Sequence, residues 1–167
     1  MVYKKIALED LQIDAFEYIS KKWFLISASV DGVVNTMTAS WGGFGTLWFK
    51  NVATIYIRPQ RFTKEFVDHS DYFTLTFFED YKKELSILGS KSGRDGDKIK
   101  EVGFDIERIE GQPTFTQGSI VLICKKLYKD SIKKECFFDE SLNDKVYPTH
   151  DQHDLYIGEI VAVYQNQ

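Results

Sequence analysis

The feature that most constrains this chain is a two-residue turn. Residues 22–30 (KWFLISASV) form an apolar run that stops at Asp31-Gly32, and residues 33–40 (VVNTMTAS) return from it. Asp-Gly adopts the left-handed backbone of a tight hairpin turn readily, so the two runs read as paired antiparallel strands. More strands follow. Residues 51–58 alternate, with Val52, Thr54, Tyr56 and Arg58 on one face and Ala53, Ile55 and Ile57 on the other, until Pro59 stops the run. Residues 72–78, 119–128 and 155–163 are further β-rich runs, and 131–138 is a weaker one. Helical signals are short: 81–88 capped by Asp80 and ended at Gly89, 64–68 capped by Thr63, and 95–102 closing at Gly103. Leu8, Leu11, Ala15 and Ile19 fit a poor amphipathic helix, and Trp41-Gly42-Gly43-Phe44-Gly45 reads as a glycine-rich loop. The reading is a mainly β chain, a β-barrel with short peripheral helices, in a single domain over residues 1–167.

Charge and composition exclude several functions. Lys+Arg 21 against Asp+Glu 25 leaves a net charge of -4, so no broad basic field recruits nucleic acid or an anionic membrane. An exposed Phe, Tyr and Arg face on a barrel would suit single-stranded nucleic acid, but no continuous basic stripe accompanies the aromatic content of 15%. No apolar run approaches the roughly 18–20 residues that span a bilayer, and the mixed charges of residues 1–10 make no signal peptide. Cys124 and Cys136 cannot supply a zinc set and read as free thiols in a reducing cytoplasm. His150 and His153 flank Asp151 in a polar loop, and no metal site is expected. Neither a G-x-S-x-G elbow nor a G-x-G-x-x-G fingerprint is present.

Any bound anion must therefore be held by a local cluster. Arg58-Pro59-Gln60-Arg61-Phe62-Thr63 places two arginines and a threonine around a strand-to-helix turn, where guanidinium donors, a hydroxyl and helix N–H groups can meet one phosphate. The same residues also fit a plain surface turn with two solvated arginines and a capping threonine. About twenty residues earlier, Asn35, Thr36, Thr38 and Ser40 bring small polar groups to a strand end beside the glycines at 42 and 43. Residues 90–98 (SKSGRDGDK) form an exposed polar loop that could add charge over an anionic ligand.

These segments together resemble the flavin reductase-like, or flavoredoxin, family. The resemblance is carried by 35–41 (NTMTASW), 58–63 (RPQRFT), Ser92-Gly93-Arg94-Asp95 with Asp97-Lys98, 124–128 (CKKLY) and 153–159 (HDLYIGE), in that order and spacing. It implies an FMN-binding split β-barrel of Greek-key type, a homodimer, and electron transfer through bound FMN, with NADH or NADPH as donor. Carried over by position, Asn35, Met37, Thr38, Ala39, Ser40 and Trp41 would lie along the flavin, while Arg58, Arg61 and Thr63, with Arg94 and Lys98, would hold its phosphate. His153 would stand on the nicotinamide side as the catalytic candidate. Relatives that pass reduced flavin to a monooxygenase carry Gly-Asp-His there, whereas this chain reads Asp151-Gln152-His153. A flavoredoxin-like electron carrier fits the pattern equally, and a non-enzymatic module binding a planar anionic ligand on the same barrel is the alternative.

Overall fold

Residues 2–167 are described by a computed structural model; Met1, the first residue of the 1–10 stretch, lies outside them. The chain enters through β1 (Tyr3–Ile6), a single turn at Leu8–Asp10 and a wide turn at Glu17–Lys22. The amphipathic helix expected around residues 8–19 forms only in part: a 3-10 turn at Leu8–Asp10 and a π-helix at Glu17–Lys22 flank an irregular stretch at 11–14. Its stripe is used all the same: Ile19 belongs to the buried core, and Leu8, Leu11 and Ala15 pack against it. Next come β2 (Phe24–Val30) and β3 (Val33–Ala39), joined as the sequence requires through Asp31 and Gly32 at φ 50° and 82°.

The segment expected as a glycine-rich loop is a strand, β4 (Gly42–Leu47). It pairs along its length with β5 (Lys50–Ile57), so tertiary pairing overrides the weak strand preference of its glycines. After β5 come α1 (Phe62–His69), β6 (Tyr72–Phe77), α2 (Lys82–Ser90) and α3 (Lys98–Glu101). The hairpin β7 (Ile106–Ile109) and β8 (Gln112–Phe115) leads to β9 (Ile120–Ser131), α4 (Glu140–Val146) and β10 (Asp154–Asn166). The weak strand expected at 131–138 is absent: β9 runs on to Ser131 and a single turn follows at Lys134–Cys136. Two expected caps also differ. Neither α1 nor α2 has a side-chain cap, and α2 runs through Gly89 to Ser90 instead of stopping there.

The large sheet is antiparallel in the order β3-β2-β6-β9-β10-β5-β4, with β1 on the far half of β10. Three observations show that it curls. One buried cluster draws Ile26 from β2, Met37 from β3, Ile55 and Ile57 from β5, Leu75 from β6, Leu122 from β9 and Tyr156 from β10. Across the interior, Phe44 of β4 meets Phe77 of β6 at 6.0 Å between ring centroids. The two outermost strands, β3 and β4, are also consecutive in the chain. Only Ser40 and Trp41 lie between them, and that short link spans at most about 11 Å, so the sheet edges meet there.

Each large side chain buried in this interior contributes about 1.5–3 kcal/mol. The alternation read over 51–58 is observed, Ala53, Ile55 and Ile57 pointing inward. Close packing needs one glycine: at Gly158, where β10 shifts register, a Cβ would sit 2.6 Å from the Phe73 ring and 2.9 Å from Cys124 Cβ. A second cluster outside the sheet seats α2 and α3 on Leu25 through Leu85, Leu88 and Ile99.

Candidate functional site

The site lies at the seam where β3 turns into β4. As an edge strand, β3 has β2 on one side only, so alternate backbone N–H and C=O groups on its outer edge have no strand partner. Pairing of Ile57 with Asp154 brings Arg58, just after β5, beside His153, just before β10. Residues far apart in sequence thus line one cleft.

At its centre is a cavity of about 220 Å³ lined by Met37, Thr38, Ala39, Ser40, Trp41, Tyr56, Arg58, Arg61 and His153. The Trp41 and His153 rings lie 5.1 Å apart. His153 is buried, with Nδ1 2.9 Å from the Tyr147 hydroxyl. Burial pushes its pKa down to about 4, and the positive charges of Arg58 and Arg61 act in the same direction against an opposing pull from Asp151. The ring is therefore neutral at pH 7. Arg58 donates to Asp151 Oδ2 at 2.6 Å and to the Val146 carbonyl at 3.2 Å, and its guanidinium lies 5.1 Å from the Tyr147 ring centroid. Gln60 and Arg58 both donate to Asp151, which holds its carboxyl well below the usual range.

The cleft continues into a second cavity of about 210 Å³ that shares Met37, Arg58 and Arg61 with the first. Asn35, Gln60, Phe62 and Thr63 wall one side, and Ser90, Lys91, Ser92, Gly93 and Lys98 the other. Two cations converge here without a carboxylate partner among the described residues. Arg61 donates to the Gly89 carbonyl at 2.5 Å, and Lys98 donates to the Leu88 and Lys91 carbonyls at 2.7 and 3.0 Å. Both thus satisfy the carbonyl-rich end of α2 while keeping donors in reserve: a guanidinium has five N–H groups and an ammonium three. Burial, then repulsion from Arg61, pushes Lys98 down to about 8; burial, then Arg58, lowers Arg61. Mutual repulsion in a half-buried space is relieved by an anion. Thr63 adds a donor, because its oxygen accepts from Asn35 Nδ2 at 2.9 Å and its own hydrogen has no acceptor among the described residues.

On the other side of Trp41 an open, largely apolar space of about 680 Å³ is bounded by Phe16, Ile19, Trp41, Phe44, Tyr56 and Tyr147, among others.

Most of the expected site residues gather in this cleft. Thr38, Ala39, Ser40, Trp41 and His153 line the central cavity, Asn35, Thr63 and Lys98 line the second, and Met37, Arg58 and Arg61 line both. Two have other engagements. The Thr38 hydroxyl donates to the Leu85 carbonyl at 2.5 Å, so it ties β3 to α2. Arg94 lines neither cavity; it pairs with Glu65, donates to the Gln60 carbonyl at 3.3 Å and lies 4.6 Å from the Phe62 ring. The sequence reading missed Tyr56, Gln60, Tyr147 and Asp151 as site residues. Tyr56 carried a signal, since it shares a strand face with Arg58, whereas Tyr147 reaches the site only through the fold. Among the described residues no group of three or more His, Cys, Asp or Glu could hold a metal ion, and no helix is long and apolar enough to cross a membrane. Cys124 is a buried free thiol and Cys136 an exposed one.

The sequence model of the family described as flavin reductase like domain matches residues 16–167. No curated protein matches the chain in sequence. Among solved structures, an FMN-binding domain of a flavin reductases-like enzyme from Shewanella baltica OS155 is similar at TM-score 0.70 and 20% identity, covering 98% of this chain and 77% of that one. Flavoredoxin from Methanosarcina acetivorans gives TM-score 0.66 at 19% identity over 87% and 69% of the two chains. The flavin reductase PheA2 gives 0.63 at 16% over 92% and 84%. At these identities the likeness is one of fold, and the curled, seamed sheet is the split β-barrel of such structures.

Proposed function

The chain belongs to the flavin reductase-like domain family, and from that premise we propose that it is an FMN-binding oxidoreductase of the flavin reductase or flavoredoxin type. The observation that carries this reading is the pair Arg61 and Lys98, two cations with spare donors facing a cavity continuous with a slot along an edge strand. A planar ligand with a terminal phosphate fits that combination. Arg61, Lys98 and Thr63 would hold the phosphate, Arg58 would stand between phosphate and ring, and the residues from Met37 to Trp41 would border the ring through their backbone edge. Bound there, FMN would supply the redox chemistry, and the chain its placement and electrostatics.

His153 is the proposed residue on the donor side. Its ring is uncharged at pH 7, held against Trp41 and fixed by Tyr147, so it presents a neutral imidazole where the central cavity opens. The apolar space beyond Trp41 would receive NADH or NADPH as the electron donor. Purified protein is expected to be yellow or to become so with added FMN, and to bleach anaerobically with one of the two nucleotides. A colourless protein that takes up no FMN would sink the assignment. Bleaching by neither nucleotide moves it to the flavoredoxin type, fed by another donor.

A homodimer is proposed from the β4–β5 hairpin. Its two-residue turn is Trp48-Phe49, both at positive φ (53° and 59°), where the other such turns of this chain carry Asp31-Gly32 and Glu110-Gly111. Bulky residues are strained in that conformation, and here they sit exposed beside Leu47. A second copy of the chain is the proposed cover. Light scattering is expected to give a dimer mass for the native protein and a monomer mass for Phe49→Asp; a monomeric native protein would remove the proposal.

A further inference from the structure

The wall of the phosphate cavity is fastened from outside. Residues 90–93, at the end of α2 and just beyond it, form one wall of the cavity, and Arg94, which lines neither cavity, fastens that wall to the opposite one. Arg94 reaches over to α1, where it pairs with Glu65, donates to the Gln60 carbonyl at 3.3 Å and stacks its guanidinium 4.6 Å from the Phe62 ring centroid. The loop is shaped for this reach: the Ser92 hydroxyl accepts from the Arg94 N–H at 3.2 Å, and the Ser92 carbonyl from the Asp95 N–H at 3.2 Å. At its other shoulder Lys91 pairs with Glu101 of α3. Between them Gly93 lies against Asn35 Oδ1 and Phe62 so closely that a Cβ has no room there. At Gly93 the strap thus presents backbone, not side chain, to Asn35 and Phe62.

We propose that Arg94 and Glu65 form a latch that closes the outer end of the phosphate cavity, so that the site accepts a terminal phosphate monoester and rejects a phosphate diester that continues into a nucleotide. In ligand terms, the chain selects FMN over FAD. The proposal rests on the reading that this cavity holds a flavin phosphate, and it gives Arg94 the role of a specificity-determining strap residue in place of a phosphate ligand. The cavity is small, about 210 Å³, and its wall at Gly93 lies against Asn35 and Phe62 with no space to spare. An adenylate carried on that phosphate would have to pass between the two walls that Arg94 joins. The fastenings are exposed and individually modest, an ion pair, one hydrogen bond to a carbonyl and one cation–π contact, and their sum sets the size of the effect.

The test is titration of flavin-free protein with FMN, FAD and riboflavin, read by flavin fluorescence at fixed salt. The native protein is expected to bind FMN at least about thirtyfold more tightly than FAD. Arg94→Ala and Glu65→Gln should each shrink that ratio by roughly tenfold, about 1.4 kcal/mol, chiefly by strengthening FAD, with FMN changed less than about threefold. Both positions are on the surface, so the variants fold, and the exchange Arg94→Glu with Glu65→Arg should restore part of the selectivity. Equal affinity of the native protein for FMN and FAD would overturn the latch alone, as would an unchanged ratio in both variants. So would an Arg94→Ala variant that loses FMN and gains nothing for FAD, the behaviour of a direct phosphate ligand. A native protein that binds no FMN fails differently, removing the flavin-site reading and the latch with it.

Discussion

Replacing Arg61 by Ala is expected to weaken FMN by about a hundredfold while leaving riboflavin within about threefold. The two ligands share the ring and ribityl chain and differ by the phosphate, so the comparison isolates that contact. A hydrogen bond to a charged group contributes about 1.5–3 kcal/mol, and Arg61 is half-buried and among the described residues bonds just to the Gly89 carbonyl, so its charge is weakly screened and it has donors to spare. Lys98 modulates the result. It is pushed down to about 8 by burial and then by Arg61, and a phosphate dianion favours its charged form. FMN affinity should therefore fall as pH rises through about 8 in the native protein. In Arg61→Ala the fall should move to higher pH, because the repulsion is gone, and the retained Lys98 charge offsets part of the loss below it. Loss of the Gly89 contact loosens the end of α2, so a melting curve without flavin belongs beside each titration. Equal losses for FMN and riboflavin would show that Arg61 is no phosphate ligand.

How much of this was legible beforehand depends on whether the determinants are local. The Asp31-Gly32 hairpin was legible because left-handed backbone at two successive positions is written in those two residues. So was the inward face of β5, where alternation marks Ala53, Ile55 and Ile57. The strand β4 was not, since three of its six residues are glycine and it exists through pairing with β5. The expected helix at 8–19 formed only at its two ends, because its apolar residues reach the core through separate short turns. In the site, Arg58, Arg61 and Thr63 sit close together in sequence and were readable as a group. That Arg94 faces α1 and not the cavity, or that Tyr147 holds His153, depends on how distant segments meet, and no local spacing encodes it.

Acid should destabilise the fold in a window set by His153. An ordinary histidine titrates near 6.5; burial, with Arg58 and Arg61 on the same side and Asp151 opposing, holds this one down to about 4. Above 6.5 the ring is neutral in both folded and unfolded chains, and its contribution to folding is intact. Between 6.5 and 4 the unfolded chain takes up a proton that the folded one refuses, so stability falls with pH by about 3 kcal/mol at most. The carboxylates act lower. At Asp68, burial raises the pKa, but hydrogen bonds from Lys129, Lys64 and Tyr156 outweigh it and hold the group at about 2, so its contribution is lost only as pH drops below the ordinary carboxylate range near 4. Denaturant melts of flavin-free protein at closely spaced pH values separate the two windows. His153→Gln, which keeps a polar group for Tyr147 and cannot titrate, should flatten the upper one and leave the lower one in place. Native stability that is level between pH 6.5 and 4, or a slope that survives His153→Gln, would contradict a neutral ring. The outcome also bears on the chemistry, because a protonated His153 would add a cation beside Arg58 and Arg61 and undo the neutral surface proposed for the donor side.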